Sequence, residues 1–226
     1  MTRYAPFIDD LLHDLAHEAF PRNDVFNQYA VGNSNNAIRL ANLRHYLNIM
    51  RERKPTYLLV MEAPGYRGCR LTGLPVTSRK IMLEGVPELA IFGEGQGFKD
   101  VMDKGFENVH GEQSATIVWE TLADLDVLPL IWNTFPFHPR KGDNPRSNRR
   151  PRKAETTLGS RYLHDVVDYF KPEVIVAVGN VAEETMMGVG INCLKVRHPA
   201  QGGKKDFVAG VSKIFTTAPN SEDDSE

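Results

Sequence analysis

The chain reads as a three-layer α/β/α protein built on a central, mainly parallel four-stranded sheet. Three observations predict it. Four short runs are continuously apolar: Tyr57 to Met61, Leu128 to Trp132, Val174 to Val178 and Cys193 to Val196. Strands buried on both faces have this pattern. Segments of helical character separate them, the alternation from which parallel sheets are built. The 226 residues, 41% hydrophobic and 25% charged, are also enough to bury one full core.

In chain order, apolar residues recur at helical spacing from Pro6 to Phe20 (Phe7, Leu11, Leu12, Leu15, Ala19), and Pro21 stops the pattern. A second helix runs from Asn36 to Arg53, with Ile38, Leu40, Ala41, Leu43, Leu47 and Met50 inward and the arginines outward. The first strand then ends at Glu62-Ala63-Pro64-Gly65, which breaks it. A helix at Gln113 to Asp124 leads to the second strand, ended by Asn133, and one from Leu158 to Phe170 to the third. A helix from Val181 to Met187 precedes the fourth strand, which Arg197 and His198 end. Residues 138–153 carry seven Lys or Arg against one acid, with three prolines, and read as a basic surface loop. The stretch NSEDDSE from Asn220 reads as an acidic disordered tail. The expected organisation is one domain over 1–219, its N-terminal helical part spanning 1–54, with a tail at 220–226.

Composition excludes several classes. No apolar run approaches the roughly 20 residues of a membrane span, and the acidic N-terminal stretch lacks the apolar core of a signal peptide, so a cytoplasmic protein is expected. Two cysteines, Cys69 and Cys193, are too few for a disulfide scaffold, a four-cysteine zinc site or an iron-sulfur cluster within one chain. His110, His138 and His198 match no ligand spacing, so no metal is expected. Gly93-x-Gly95-x-Gly97 lacks the third-glycine spacing of a dinucleotide loop. The net charge of -2 averages a basic segment against an acidic tail, so it does not argue against a nucleic-acid partner.

In open α/β sheets ligands bind beyond the carboxyl ends of the strands. Glu62, Asn133 and His198 stand there: a carboxylate that can orient water or stabilise a cation, a carboxamide that can read an amide-imide edge, and an imidazole that can hydrogen-bond a developing anion. Each alone is as readily an ordinary strand-end residue. A reaction that separates cation from anion would use all three. Cys69 as nucleophile with His198 as base would instead make an amidase-like hydrolase.

These residues carry a resemblance to the uracil-DNA glycosylase superfamily. Met61-Glu-Ala-Pro-Gly65 with Thr72-Gly73 resembles its first motif, and His198-Pro199-Ala200 its last. Between them stand Asn133-Thr134 and Asn148-Arg149-Arg150-Pro151, in the family's order over roughly residues 56–210. The resemblance implies a monofunctional, monomeric enzyme that flips uracil or a related deaminated base out of DNA and hydrolyses its N-glycosidic bond, without a cofactor. Glu62 would serve the sugar and the attacking water, His198 the departing base and Asn133 its edge, with Ala63 and Gly65 in the base site. Arg146, Arg149 and Arg150 would clamp phosphates, and Gln201, Gly202 and Lys204 would meet the minor groove without an apolar wedge.

Four departures stand out. Ala63 replaces an Asp or Asn of several branches, and the branch relying on the preceding Glu usually carries a cluster that two cysteines cannot hold. Val76 replaces the aromatic after Gly-x-Pro, so stacking under the base falls to Tyr66 or, second, Phe135. Gly65 replaces the Tyr with which strict uracil enzymes exclude thymine. The competing expectations are a non-catalytic nucleic-acid-binding relative and a small-molecule hydrolase using the same sheet edge.

Overall fold

The computed structural model describes residues 5–217. The first helix, α1 (Ala5–His17), buries Ile8, Leu11, Leu12, Leu15 and Ala16. After β1 (Val25–Phe26) comes α2 (Ser34–Arg53), capped by the Asn33 side chain, which accepts from the Asn35 and Asn36 N–H groups. Then follow β2 (Tyr57–Met61), α3 (Cys69–Thr72), α4 (Arg79–Glu84), a 3-10 turn (Pro87–Leu89), α5 (Gln113–Asp124), β3 (Leu130–Asn133) and β4 (His138–Pro139). The chain continues through α6 (Lys153–Phe170), β5 (Val174–Val178), α7 (Asn180–Gly188), β6 (Leu194–Val196) and α8 (Lys204–Thr217).

Four strands pair in parallel in the order β3-β2-β5-β6, flanked by helices as a three-layer α/β/α fold. Leu58, Leu59, Val60, Leu130, Ile131, Val176 and Ala177 are wholly buried, as continuous apolar runs demand. At the margin β6 leaves Leu194 half exposed. A separate two-residue antiparallel pair, β1 with β4, ties the N-terminal part to the start of the basic segment.

Several expectations are corrected. The arginines of α2 do not all face outward: Arg39 is 1% exposed, paired with Asp103 at 2.6 Å and donating to the Leu71 carbonyl and to Asn36. Arg79 is equally buried and pairs with Asp100. These two ion pairs pin the irregular connection between the 3-10 turn and α5. The polar stripe of α2 is therefore spent inside the protein, which a periodicity of apolar residues cannot reveal. The basic segment is not all loop. Its first two residues are β4, and α6 begins at Lys153 because Glu155 accepts the Arg152 N–H at 2.7 Å, capping the helix five residues before its apolar periodicity starts. Helix α8 lacked a sequence expectation. The acidic tail lies outside the described residues, and among those described no helix is long and apolar enough to cross a membrane.

Candidate active site

From β2 the chain passes to β3 on one side, then crosses to β5 on the other, so the strand order reverses at β2. A crevice opens at the carboxyl ends of strands flanking such a reversal, because their outgoing loops part. Here the crevice is a cleft of about 620 Å³, walled by the turn after β2, the β5–α7 junction, the start of α5, the basic segment and the loop after β6.

Glu62 leads that turn, and four of the carbonyls around it, those of Met61, Glu62, Pro64 and Gly65, are held. Those of Met61 and Glu62 accept the N–H groups of Thr134 (2.8 Å) and Phe135 (3.2 Å), and Thr134 Oγ1 also donates to Glu62 O. The Pro64 carbonyl accepts from His138 Nδ1 at 2.8 Å, and the Gly65 carbonyl from Gly68 N–H. The Glu62 carboxylate is half-buried in the cleft wall and has no hydrogen bond among the described residues. Burial raises its pKa, with Arg150 opposing, so it is a better proton acceptor than an exposed carboxylate.

His198 is half-buried and faces the same cleft. Its Nδ1 accepts the Ala200 N–H at 3.1 Å, so in the neutral ring the proton sits on Nε2. Burial, then the Arg197 charge, lower its pKa, which keeps the imidazole neutral with one N–H to offer. The loop behind it is closed by Gly203, where a Cβ would lie 2.1 Å from the His198 carbonyl oxygen.

The expected trio does not meet on one surface. Asn133 is the last residue of β3, opposite Met61, 3% exposed and behind the wall rather than in it. Its carboxamide makes no hydrogen bond among the described residues. Ala63 and Gly65 line the cleft.

Neither expected aromatic does. Phe135 is wholly buried and packs edge-on against Phe20 and Phe137, a core role that corrects its expected place under a base. Tyr66 is half-buried outside the lining, with the Arg67 guanidinium 5.3 Å from its ring centre. Val76 lines the cleft itself at φ +50, a strained conformation for a β-branched residue, with Trp119 Nε1 donating to its carbonyl at 2.7 Å.

Arg149 also needs correcting. All five of its guanidinium N–H groups are engaged: with both Glu155 oxygens and with the carbonyls of Asp24, Arg140 and Arg150. None remains for a phosphate. Arg146 and Arg150 are exposed, the first donating to the Gly105 carbonyl and the second paired with Glu184 at 2.6 Å. Gln201 lines the cleft, Gly202 is exposed beside it, and Lys204 pairs with Glu120. Asn148, Gln113, Ser114 and Asn180 also line the cleft without having been expected there. For Asn148 the signal existed, in the first residue of Asn148-Arg149-Arg150-Pro151.

One alternative loses ground. Burial pushes the Cys69 thiol up to about 12, and it packs against Gln28 and Tyr29, so it is no thiolate nucleophile at neutral pH. Among the described residues no group of three His, Cys, Asp or Glu is placed to hold a metal ion.

His138 carries a testable consequence. Burial lowers its pKa from 6.5 to about 4. Between those values the unfolded chain binds more protons than the folded one, so stability present above pH 6.5 is lost as pH falls through the window. The loss is expected to reach about 3 kcal/mol near pH 4. Urea titrations from pH 7 to 4.5 check it, with His138→Gln flattening the dependence relative to wild type.

A family model described as the uracil DNA glycosylase superfamily matches residues 49–217. No curated protein matched the chain.

Proposed function

The chain belongs to the uracil DNA glycosylase superfamily, and from that premise we propose that it flips uracil or a related deaminated base out of DNA and hydrolyses its N-glycosidic bond without a further lyase step. The family supports a DNA glycosylase type of function and DNA binding in general. The observation that carries the finer reading is that a free, half-buried carboxylate, Glu62, and a neutral imidazole with its Nε2 proton available, His198, wall one cleft at the switch point of the sheet.

The chemistry follows from those two groups. The bond between C1′ and the base nitrogen breaks, its electron pair leaving with the base. The His198 Nε2–H hydrogen-bonds a base carbonyl as negative charge builds there. The ionised Glu62 stabilises the oxocarbenium-like sugar, then takes a proton from the water that attacks C1′. Val76 and Ala63 offer apolar surface to the ring. Flipping costs least at a mismatch, so a deaminated cytosine opposite guanine is the favoured substrate class.

The test is release of base from duplex and single-stranded oligonucleotides carrying uracil, hypoxanthine or xanthine, read as alkali-sensitive strand scission. Scission at the modified position is the expected result; none at large enzyme excess overturns the proposal. Phosphate binding falls to Arg146 and Arg150. Replacing both by Ala is expected to weaken DNA binding and to flatten the logarithmic salt dependence by about 0.9 for each duplex phosphate no longer neutralised. Arg149→Ala is expected to cost about 2 kcal/mol of stability, because it removes the two charge-assisted bonds to Glu155 and leaves Arg152 as the remaining cation on Glu155 and Asp24, with little change in the salt slope. Anisotropy titrations across salt, with thermal melts, separate the two effects.

A further inference from the structure

Gly65 has no structural need to be glycine. Its backbone lies outside the positive-φ region, and a Cβ there would meet nothing closer than Asn148 Nδ2, at an ordinary 3.8 Å. The missing side chain leaves room in the cleft wall, and an amide from another loop stands beside that room. Asn148 Oδ1 accepts the Tyr66 N–H at 2.9 Å. That bond fixes the amide's orientation and leaves Nδ2, with both N–H groups unpartnered among the described residues, on the side of Gly65.

The loop that presents Asn148 is braced on both sides. Ser147 Oγ accepts the Lys141 N–H and donates to the Asn144 carbonyl. Arg149 donates its backbone N–H to the Pro139 carbonyl, and its saturated guanidinium ties the loop to Asp24 and Glu155. Asn148 is therefore held in place before any ligand arrives, as a recognition group must be.

We infer that Asn148 is a specificity-determining residue: it forms from a separate loop the wall that residue 65 leaves open, and it selects bases presenting a hydrogen-bond acceptor there over bases presenting an alkyl group. This rests on the reading of the cleft as a base site. A methyl group pressed against Nδ2 would cut two N–H donors off from water without replacing their bonds, and sites built on hydrogen bonds discriminate strongly against ligands that leave them unpaired.

The experiment uses binding rather than turnover, so it is independent of whether the bond is hydrolysed. Full-length protein is titrated with duplexes carrying uncleavable 2′-fluoro-2′-deoxy-5-hydroxyuridine, whose 5-oxygen can accept a hydrogen bond, or the 5-methyl analogue of the same size, opposite guanine. Wild type is expected to prefer the 5-hydroxy probe by at least about tenfold. Asn148→Ala is expected to bring the two within about threefold. Asn148→Asp, which keeps the acceptor for Tyr66 N–H and removes both donors, is expected to do the same while melting as wild type. A preference retained in both variants overturns the inference, as does wild-type binding that fails to distinguish the probes. Absence of base release from cleavable DNA would instead count against the hydrolytic reading alone.

Discussion

Replacing Glu62 by Gln is expected to lower the rate of base release by roughly 10²–10⁴-fold, the range that a positioned general base supplies, while affinity for an uncleavable uracil-containing duplex stays within a few-fold. The amide keeps the size and polarity of the side chain and the turn that carries it, since those carbonyls are held by Thr134, Phe135 and His138 through the backbone. What it removes is the negative charge and the basic lone pair. The pH profile adds a second signature. Glu62 must be ionised to act, and burial raises its pKa. Wild-type activity is therefore expected to fall on the acid side above the range of an exposed glutamate, and the residual activity of Glu62→Gln is expected to lack that limb. Single-turnover rates from pH 4.5 to 8 decide this, and an unchanged rate in the variant would sink the assignment of Glu62.

His198→Ala is expected to cost roughly 10²–10³-fold, the loss typical of removing one hydrogen bond aimed at a developing anion. Its profile should keep the acid limb of Glu62, which separates the two roles. Bases whose anions are more stable without help should suffer less from the change, so a series of 5-halogenated uracils is expected to show a steeper dependence on leaving-group acidity in the variant. The fold predicts a confounding route, because the loop carrying His198 closes through the Ala200 N–H bond and Gly203. His198→Asn, which retains a short polar side chain, is therefore the companion variant, and partial rescue is the expected result. Equal rates for wild type and both variants would place the anion stabiliser elsewhere.

Much of the fold is readable along the chain. Strands Tyr57–Met61 and Val174–Val178 and helix Gln113–Asp124 follow from local apolar patterning and turn chemistry and occur where expected. Glu62 and His198 stand out because a residue immediately after a buried strand must emerge at one edge of the sheet. Helix α6 starts five residues before the expected Leu158 because its cap is a charged residue in a basic run, which has no apolar period to follow. Phe135 shows the other kind of miss. Aromatic residues suit a base pocket and a core equally well, and only Phe20, 115 positions earlier in the chain, settles which.

The segment 138–153 shows the same division in its charges. Residue order alone establishes that this stretch is basic, that it follows the second sheet strand, and that a parallel sheet gathers it near Glu62 and His198. Folding then assigns each cation its use. Arg149 is spent on Asp24, Glu155 and three carbonyls, Arg150 reaches Glu184, and Arg146 stays exposed beside Phe106. Folding also turns Asn148 toward Gly65 and leaves the amide of Asn133 buried without a partner among the described residues. Strand and helix follow from interactions over a few residues, so local pattern reveals them. Whether a guanidinium or an amide is free depends on groups far off in the chain, such as Asp24, 125 residues from Arg149, and those distances exist only once the chain has folded.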